Sequence, residues 1–206
     1  MTTLTYQHNY LNESREGLLE KVAAVMSEAR FEHVLRVEAT ALKLAKKYQA
    51  DLEKVSIAAL LHDYAKEAPD RSMRDVIISE NLDLDLLSYG NPIWHGPAGA
   101  VLATKHFDVT NPEILEAIAC HTYGSGPDAS RIQKIIFVAD YIEPQRNFPV
   151  VDQARAIAEH SLDEAVFFEL VHTLKYLIEQ EVLVYPATLK NYNVWVNQWL
   201  KKEKVK

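Results

Sequence analysis

The sequence predicts an all-α fold, because helical periodicity recurs along nearly its whole length and is interrupted at short intervals by Pro, Gly, Asn and Asp. No segment has the strict alternation of apolar and polar residues that is typical of a β-strand. No internal repeat and no linker rich in Gly, Ser or Pro divides the chain. We therefore expect a single domain over residues 1–206, which is long enough to bury its own core.

The first half of the chain contains five predicted helices. Apolar residues at core spacing define the first three, and Asp70 is expected to cap a short fourth helix on the surface. A loop-rich region, which includes Pro92 and Pro97, leads into the fifth helix. The predicted ranges are 13–28, 31–48, 52–66, 70–78 and a helix that ends near residue 106.

The second half of the chain contains five more predicted helices. Asn111 followed by Pro112 is typical of a helix start, because proline is tolerated at the first helical position. A Gly/Pro loop follows at 122–128, and Pro144 ends the apolar helix after it. The predicted ranges are 111–121, 130–143, 151–160, 162–179 and 189–202, and the charged tail 201–206 is expected to be solvated.

Composition excludes several classes of protein. The net charge is −7, which argues against a dedicated nucleic-acid binder, although a few local cations would suffice for a small anionic ligand. No apolar run approaches the roughly 18 residues of a membrane span, and the N-terminus does not resemble a signal peptide. The single cysteine, Cys120, is expected to be a buried structural thiol. We therefore expect a soluble cytoplasmic protein that has no membrane partner.

Four polar side chains lie in strongly apolar helical segments, where they require partners. His62 and Asp63 directly follow five consecutive apolar residues, and so does Asp140. His33 precedes the core-spaced face of the second predicted helix. A buried carboxylate is costly unless it is paired or bound to a metal. Two imidazoles and two carboxylates form a mixed nitrogen and oxygen set, which suits Fe, Mn or Zn and leaves room for water and substrate.

The order His33, His62-Asp63, Asp140 resembles the H…HD…D signature of the HD-domain metal-dependent phosphohydrolases. Four longer motifs resemble those of the YqeK-type symmetrical bis(5′-nucleosyl)-tetraphosphatases within that superfamily. They are HDYAKE at 62–67, WHGP at 94–97, HTYG at 121–124 and ADYIEPQR at 139–146. The resemblance covers about residues 30–191, and it implies an HD-type helical bundle with short additional helices.

The resemblance also implies a function. It implies that His33, His62, Asp63 and Asp140 hold one or two transition-metal ions, with iron expected and Mn or Zn as alternatives. The implied reaction is symmetrical hydrolysis of a dinucleoside tetraphosphate, such as diadenosine tetraphosphate, into two nucleoside diphosphates such as ADP. Metal-activated water would attack a bridge phosphorus. The implied ligands are a dinucleoside polyphosphate or a nucleoside diphosphate, and the implied assembly is a homodimer.

A tetraphosphate requires local cations in a protein of net negative charge. Lys66 is expected to share a helix face with the His-Asp doublet, and Arg146 follows Pro144. Arg30 and Arg36 flank His33 at a distance of three residues, and we favour Arg30 for the cleft. These cations would neutralise phosphate oxygens, and an arginine can do so with two parallel hydrogen bonds.

His95 and His121 are further candidates, because each lies where an apolar segment meets a Gly-containing turn. They could contact phosphate, act as general acids or hold a second metal. Thr122 could donate its hydroxyl to a phosphate. The expected catalytic residues are Asp63, Lys66, His95 and His121. The expected phosphate-binding residues are Arg30, Lys66, His95, His121, Thr122, Asp140 and Arg146.

Three other functions are compatible with parts of this pattern. Another HD-type phosphohydrolase, such as a nucleotidase or an alarmone hydrolase, would use the same metal site. A nucleotide sensor would bind without turnover, but the intact ligand set counts against it, because a sensor has less need of an open position on the metal. An α-helical scaffold would leave Asp63 and Asp140 unexplained in their apolar surroundings. We expect the remaining histidines and the stripe around Trp195 and Trp199 to have packing or surface roles.

Overall fold

The computed structural model describes residues 4–8 and 10–203, and these residues form ten α-helices and one short 3-10 helix. The described part of the chain contains no β-strand, so the predicted all-α fold is confirmed. Residues 204–206 of the predicted solvated tail lie outside the described residues. The helices are α1 (Arg15–Ala23), α2 (Glu28–Tyr48), α3 (Leu52–Leu61), α4 (Asp70–Ser79), α5 (Asn91–Phe107), α6 (Pro112–Cys120), α7 (Arg131–Ile142), α8 (Val151–Ala158), α9 (Leu162–Glu179) and α10 (Pro186–Glu203), with the 3-10 helix at Leu84–Ser88.

Side-chain caps fix the starts of several helices. Asn111 accepts hydrogen bonds from two backbone N–H groups at the start of α6, as the sequence predicts. Ser130 and Gln133 form a reciprocal capping box at the start of α7, the helix that carries Asp140. Ser27 caps α2 through its hydroxyl oxygen, which accepts a hydrogen bond from Arg30 N–H. Because Ser27 begins a new helix, α1 ends at Ala23, and the predicted helix 13–28 is too long.

The predicted helix 52–66 is also too long, since α3 ends at Leu61. The chain continues in tight turns over 62–67, where Tyr64 N–H donates to Leu61 O and Lys66 N–H donates to Asp63 O. Lys66 therefore does not lie on a helix face beside His62 and Asp63. The turns give these residues directions that a straight helix would not provide.

Helix α4 starts one residue away from the expected cap. Pro69 occupies the capping position, and Asp70 lies in the first helical turn instead of capping it. An acidic residue still stabilises this position, because the N-terminus of a helix carries partial positive charge. At the C-terminal end, α10 starts at Pro186, three residues earlier than predicted, because proline is accepted in the first turn.

The largest difference from prediction concerns residues 91–97, which form the first turns of α5 instead of a loop. Pro92 lies in the first turn, where its missing N–H costs nothing. Pro97 lies inside the helix and cannot donate to the carbonyl of Ile93. The hydroxyl of Thr122 replaces that donor, with a distance of 3.2 Å to Ile93 O. The neighbouring chain thus satisfies the group that the proline leaves free.

A large hydrophobic core joins most of the helices. Helix α3 is buried on nearly all sides and packs against α2, α6 and α7, while α9 packs against α7 and α10. A smaller cluster lies beneath α4 and α5 and includes Met73 and Trp94. No helix in the described ranges combines the length and apolar character that crossing a bilayer requires. The inner ends of the central helices meet at one buried polar centre.

Candidate functional site

Four histidines and two aspartates from five helical segments meet at this centre. His33 comes from α2, the His62-Asp63 doublet ends α3, and Asp140 lies in the last turns of α7. His95 and His121 join them from α5 and from the end of α6. The structure therefore brings together every metal-ligand candidate that the sequence predicts, together with the two additional histidines.

Asp63 lies between two sets of imidazoles. Its Oδ2 atom is 3.6 Å from His33 Nε2 and 3.5 Å from His62 Nε2. Its Oδ1 atom is 3.3 Å from His95 Nε2 and 3.7 Å from His121 Nε2. One carboxylate thus faces two nitrogen pairs, one with each oxygen.

Hydrogen bonds hold the opposite nitrogen of each ring. His62 Nδ1 lies 2.6 Å from Ala59 O, and His121 Nδ1 lies 2.7 Å from Ile118 O. His95 Nδ1 lies 2.7 Å from Asn91 O. A carbonyl can only accept, so each Nδ1 carries the proton and each Nε2 presents a lone pair to the centre. Metal-binding histidines are oriented by hydrogen bonds of this kind.

These lone pairs lack partners. His62 Nε2 is buried and has no hydrogen-bond partner, and buried His33 Nε2 makes no hydrogen bond of good geometry, although it lies 3.1 Å from Asp140 Oδ1. His95 Nε2 and His121 Nε2 face each other at 3.0 Å although both Nδ1 atoms already hold the protons. Two lone pairs in this position repel unless a proton or a cation lies near both. The donor set therefore fits a metal.

Burial and neighbouring charges set the protonation states that a metal requires. Burial lowers the pKa of His62 to about 4 and also lowers the pKa of His95, so both rings are neutral at pH 7. Burial would raise the pKa of Asp63, but the polar groups that face its two oxygens hold it well below its ordinary value. For Asp140, His33, His62 and Arg146 outweigh burial in the same way, and its pKa is lowered. Neutral imidazoles and ionised carboxylates are the forms that bind cations.

The expected cations line the same cavity, which has a volume of about 280 Å³. Arg30 Nη1 lies 2.8 Å from Asp63 Oδ2, and Arg146 Nε donates to Asp140 O at 2.9 Å. Lys66 Nζ lies 3.4 Å from His95 Nδ1, and burial lowers the pKa of this ammonium group. Although Lys66 is not on the predicted helix face, the turns after α3 bring it to the cavity.

Arg36 lies behind the centre. Its Nε donates to Glu143 Oε2 at 2.8 Å, and Glu143 Oε1 lies 3.2 Å from His33 Nδ1. Arg36 thus contacts the carboxylate that orients His33, whereas Arg30 lines the cavity. Thr122 also lines the cavity, but its hydroxyl proton is directed to Ile93 O.

Sequence reasoning assigned no role to two buried glutamates. Glu143 follows the apolar helix that carries Asp140, and it orients His33. Glu169 on α9 lines the cavity and is only 6% exposed. Both follow apolar residues in the sequence, which is the signal that identified Asp63 and Asp140, so the same criterion could have found them.

Cys120 is buried next to the centre but takes no part in it. Burial raises the pKa of its thiol to about 12, and Gln133 Nε2 lies 3.8 Å from its sulfur. The thiol is therefore protonated at neutral pH, as expected of a structural cysteine. Trp195 is 1% exposed and donates its indole N–H to Ser125 O at 2.9 Å, which confirms its predicted packing role.

The helical fold and the His-Asp centre agree with comparisons to known proteins. The HD domain family model matches residues 30–145. The crystal structure of a "predicted HD superfamily hydrolase involved in NAD metabolism" from Clostridium acetobutylicum superposes with a TM-score of 0.82. It is 32% identical in sequence, and the match covers 90% of this chain and 98% of that one. This chain is thus an HD-domain protein.

Relatives of known name narrow the class. The symmetrical bis(5′-nucleosyl)-tetraphosphatase of Bacillus subtilis is 39% identical over 180 residues, which are 87% of this chain and 96% of the relative. The protein of the same name from Staphylococcus aureus is 38% identical over 82% of this chain and 88% of its own. The chain belongs to the symmetrical bis(5′-nucleosyl)-tetraphosphatase family of HD-domain proteins.

Proposed function

We propose that this chain hydrolyses dinucleoside tetraphosphates symmetrically, giving two nucleoside diphosphates. The observation that carries the proposal is one cavity whose wall includes the ligand candidates Asp63, His95, His121 and Asp140 together with the cations Arg30, Lys66 and Arg146. The ligand set suits hydrolysis, and the cations suit a polyphosphate. The names of the related proteins supply the substrate class.

The six ligand candidates divide into two groups that share Asp63. His33, His62 and Asp63 would hold one ion, and Asp63, His95 and His121 would hold a second. Asp140 would complete the first group, because its Oδ1 atom lies 3.1 Å from His33 Nε2. We propose iron, with Mn or Zn as alternatives, because nitrogen and carboxylate oxygen donors without thiolate suit these borderline ions. When bound, such ions lower the pKa of water and polarise a phosphoryl oxygen.

The hydrogen bonds of His95 and His121 support one of their three possible roles, that of metal ligands. Each ring has its proton on Nδ1, where a backbone carbonyl accepts it, so Nε2 has no proton to give. With the proton on Nδ1, the Nε2 atom can bind a metal but has no proton to donate as a general acid. We therefore assign both histidines to the second ion.

The remaining residues bind and orient the substrate. Lys66 and the two arginines neutralise phosphate oxygens around the bond that breaks, which holds the reacting phosphorus in place. Water attacks a phosphorus beside the central bridging oxygen, and the bond from that phosphorus to the bridging oxygen breaks. The departing nucleoside diphosphate keeps the bridging oxygen, and Lys66 stabilises its negative charge.

We also propose a homodimer in the cytoplasm, built from a single domain. Exposed apolar side chains on the late turns of α9 and on α10 support self-association. They include Tyr176, Ile178 and Leu189, which are 59%, 67% and 49% exposed. Light scattering after size exclusion, at two protein concentrations, tests the assembly. A monomer at both concentrations would contradict it.

The function is tested by incubating the purified protein, with its native metal content recorded, with diadenosine tetraphosphate. Anion-exchange chromatography separates the products, and a parallel sample contains chelator. We expect ADP alone, and no product after chelation. AMP with ATP would contradict symmetrical cleavage. No turnover by the metal-loaded protein would favour another nucleotide substrate or a sensor.

A further inference from the structure

Glu169 is a buried carboxylic acid in the cavity wall that the proposed reaction does not use. It lies on α9, which carries none of the six metal-ligand candidates. The residue is 6% exposed, and its Oε2 atom is buried without a hydrogen-bond partner. Among the side chains that the structure describes, which end at Lys201, no lysine, arginine or histidine forms an ion pair with it.

The surroundings of Glu169 do not explain its presence. Arg146 lines the same cavity, but its guanidinium group is bound to the side chain and carbonyl of Asp140. Burial raises the pKa of Glu169 well above its ordinary value, and the charge of Asp140 raises it further. Both effects favour the uncharged form of the carboxyl group, which repels an incoming phosphate less than a carboxylate does.

An unpartnered carboxyl group is unfavourable inside a protein, and an apolar side chain of similar size would be more stable there. Its position on the cavity wall means that a bound ligand can supply the missing partner. Thr173 lies one helical turn further along α9 and lines the same cavity. One face of α9 thus offers a carboxyl and a hydroxyl side by side.

The chemistry of the ligand indicates which of its groups this face receives. The phosphate oxygens are anionic acceptors, and Arg30, Lys66 and Arg146 already provide them with cations. The hydroxyl groups of the sugar are the donors nearest to the phosphates, and a carboxyl group is their usual acceptor in nucleotide sites. Resting on the proposed function, we infer that Glu169, assisted by Thr173, binds the ribose hydroxyls of one nucleoside diphosphate half and selects ribonucleotides over deoxyribonucleotides.

Direct binding measurements on the metal-loaded protein test this inference. The probes for calorimetry are ADP, 2′-deoxy-ADP, 3′-deoxy-ADP and inorganic pyrophosphate, which has no sugar. The variants are Glu169→Met, which removes the carboxyl at similar size, and Glu169→Gln, which keeps an acceptor oxygen. Glu179→Met is the matched control, because Glu179 is exposed at the end of the same helix.

We expect the natural protein to bind ADP about 10-fold more tightly than at least one deoxy analogue. The analogue lacks one hydroxyl group, and its complex therefore lacks one hydrogen bond to the buried carboxyl group. Glu169→Met should weaken ADP binding to the level of that analogue, while the affinities for the analogue and for pyrophosphate remain unchanged. Glu169→Gln should keep most of the preference for ADP, and Glu179→Met should keep all of it. Thermal melting of Glu169→Met should occur at or above the natural temperature.

Other results would overturn the inference. Equal losses for ADP and pyrophosphate in Glu169→Met would mean that Glu169 contacts phosphate. If Glu169→Met bound all four probes as tightly as the natural protein does, Glu169 would have only a packing role. Because these measurements need no turnover, preserved ADP selectivity in a protein that does not cleave diadenosine tetraphosphate would contradict only the proposed reaction. No ADP binding by the metal-loaded protein would contradict both.

Discussion

At the scale of single residues, the centre depends on one carboxylate. Asp63 is 4% exposed and lies within 3.7 Å of four imidazole nitrogens, while Arg30 donates to its Oδ2 atom. No other carboxylate in the described residues contacts both nitrogen pairs. Substitution of Asp63 should therefore affect both proposed ions at once, whereas substitution of His33 or His121 should affect one.

Asp63→Asn should remove bound metal and activity while the helices remain folded. The amide keeps the shape of the side chain but loses its charge, and the cost should exceed the roughly 10- to 100-fold that loss of an outer-shell partner causes. Elemental analysis and far-ultraviolet circular dichroism measure metal and fold. Asp75→Asn is the control, because Asp75 is exposed on α4. Full metal content in Asp63→Asn would contradict the ligand assignment.

Lys66→Met should leave the metal in place but weaken substrate binding and turnover. The ammonium group lines the cavity without being a ligand candidate, and loss of a charged hydrogen bond should lower kcat/KM by about 10-fold or more. Steady-state kinetics with diadenosine tetraphosphate measures the effect. The control is Lys105→Met, which removes an exposed cation paired with Glu80. Unchanged kinetics in Lys66→Met would remove Lys66 from the site.

The thiol of Cys120 should resist modification in the folded protein. Because burial raises its pKa to about 12, only about one thiol in 10,000 is ionised at pH 8, and the thiolate is the reactive form. A disulfide reagent at pH 8 should label the native protein slowly and the guanidinium-unfolded protein with one equivalent. Rapid labelling of the native protein would contradict the buried, protonated state.

At the scale of elements, the contact between α5 and the end of α6 positions His95 and His121. Gly96 permits it, because a Cβ atom at this position would lie 2.5 Å from Ala119 O and 3.0 Å from Thr122 Oγ1. Thr122 in turn donates to the carbonyl that Pro97 leaves free. The WHGP motif thus brings two helices close together and sets the distance between two imidazoles.

Gly96→Ala should therefore damage stability and activity together. The added methyl group must displace backbone, which we expect to cost about 1–3 kcal/mol and to separate His95 from His121. Gly126→Ala is the matched control, because the nearest atom to its added Cβ would be 3.9 Å away. Chemical denaturation and metal content measure both effects. Natural stability and activity in Gly96→Ala would contradict the close-packing role.

Elements whose signals are local could be predicted from the sequence. The ends of α9 agree with prediction to the residue, because Ser161 caps an uninterrupted apolar pattern. The start of α5 could not be predicted, because proline and glycine favour loops locally. The hydrogen bond that Pro97 cannot donate is supplied by the hydroxyl of Thr122, which lies 25 residues further along the chain. The end of α3 was misplaced for the opposite reason, since residues 62–67 contain no local helix breaker.

The same distinction applies to the candidate site. His33, His62, Asp63 and Asp140 could be predicted because each is a polar residue in an apolar helical segment. The choice between Arg30 and Arg36 could not be settled, since both lie three residues from His33 and only the position of Glu143 separates them. Glu169 also follows apolar residues, so the same criterion could have found it, but nothing local to the sequence indicates that α9 lies against the cavity.

At the scale of the whole molecule, metal and fold should be coupled but separable. The large core extends through most helices without the metal ligands, so the metal-free protein should remain helical at 20 °C. Metal bound at 100 times its Kd adds about 2.7 kcal/mol, so chelation should lower Tm by roughly 5 °C or more. Thermal melting with and without chelator measures the shift. The Tm of Asp63→Asn should not change on chelation. Unfolding of the natural protein on chelation at 20 °C would contradict a core that folds without metal.

The hydrogen bonds from ring nitrogens to backbone carbonyls have a consequence for tolerance to mutation. His62, His95 and His121 each donate to a carbonyl three or four residues earlier in their own helical segment, so each ring moves with that segment as one rigid unit. Small relative displacements of α3, α5 and α6 therefore change the spacing of the nitrogens directly. Metal affinity should therefore depend on how precisely these helices are aligned. Core substitutions far from the centre should weaken metal binding while the protein is still fully folded.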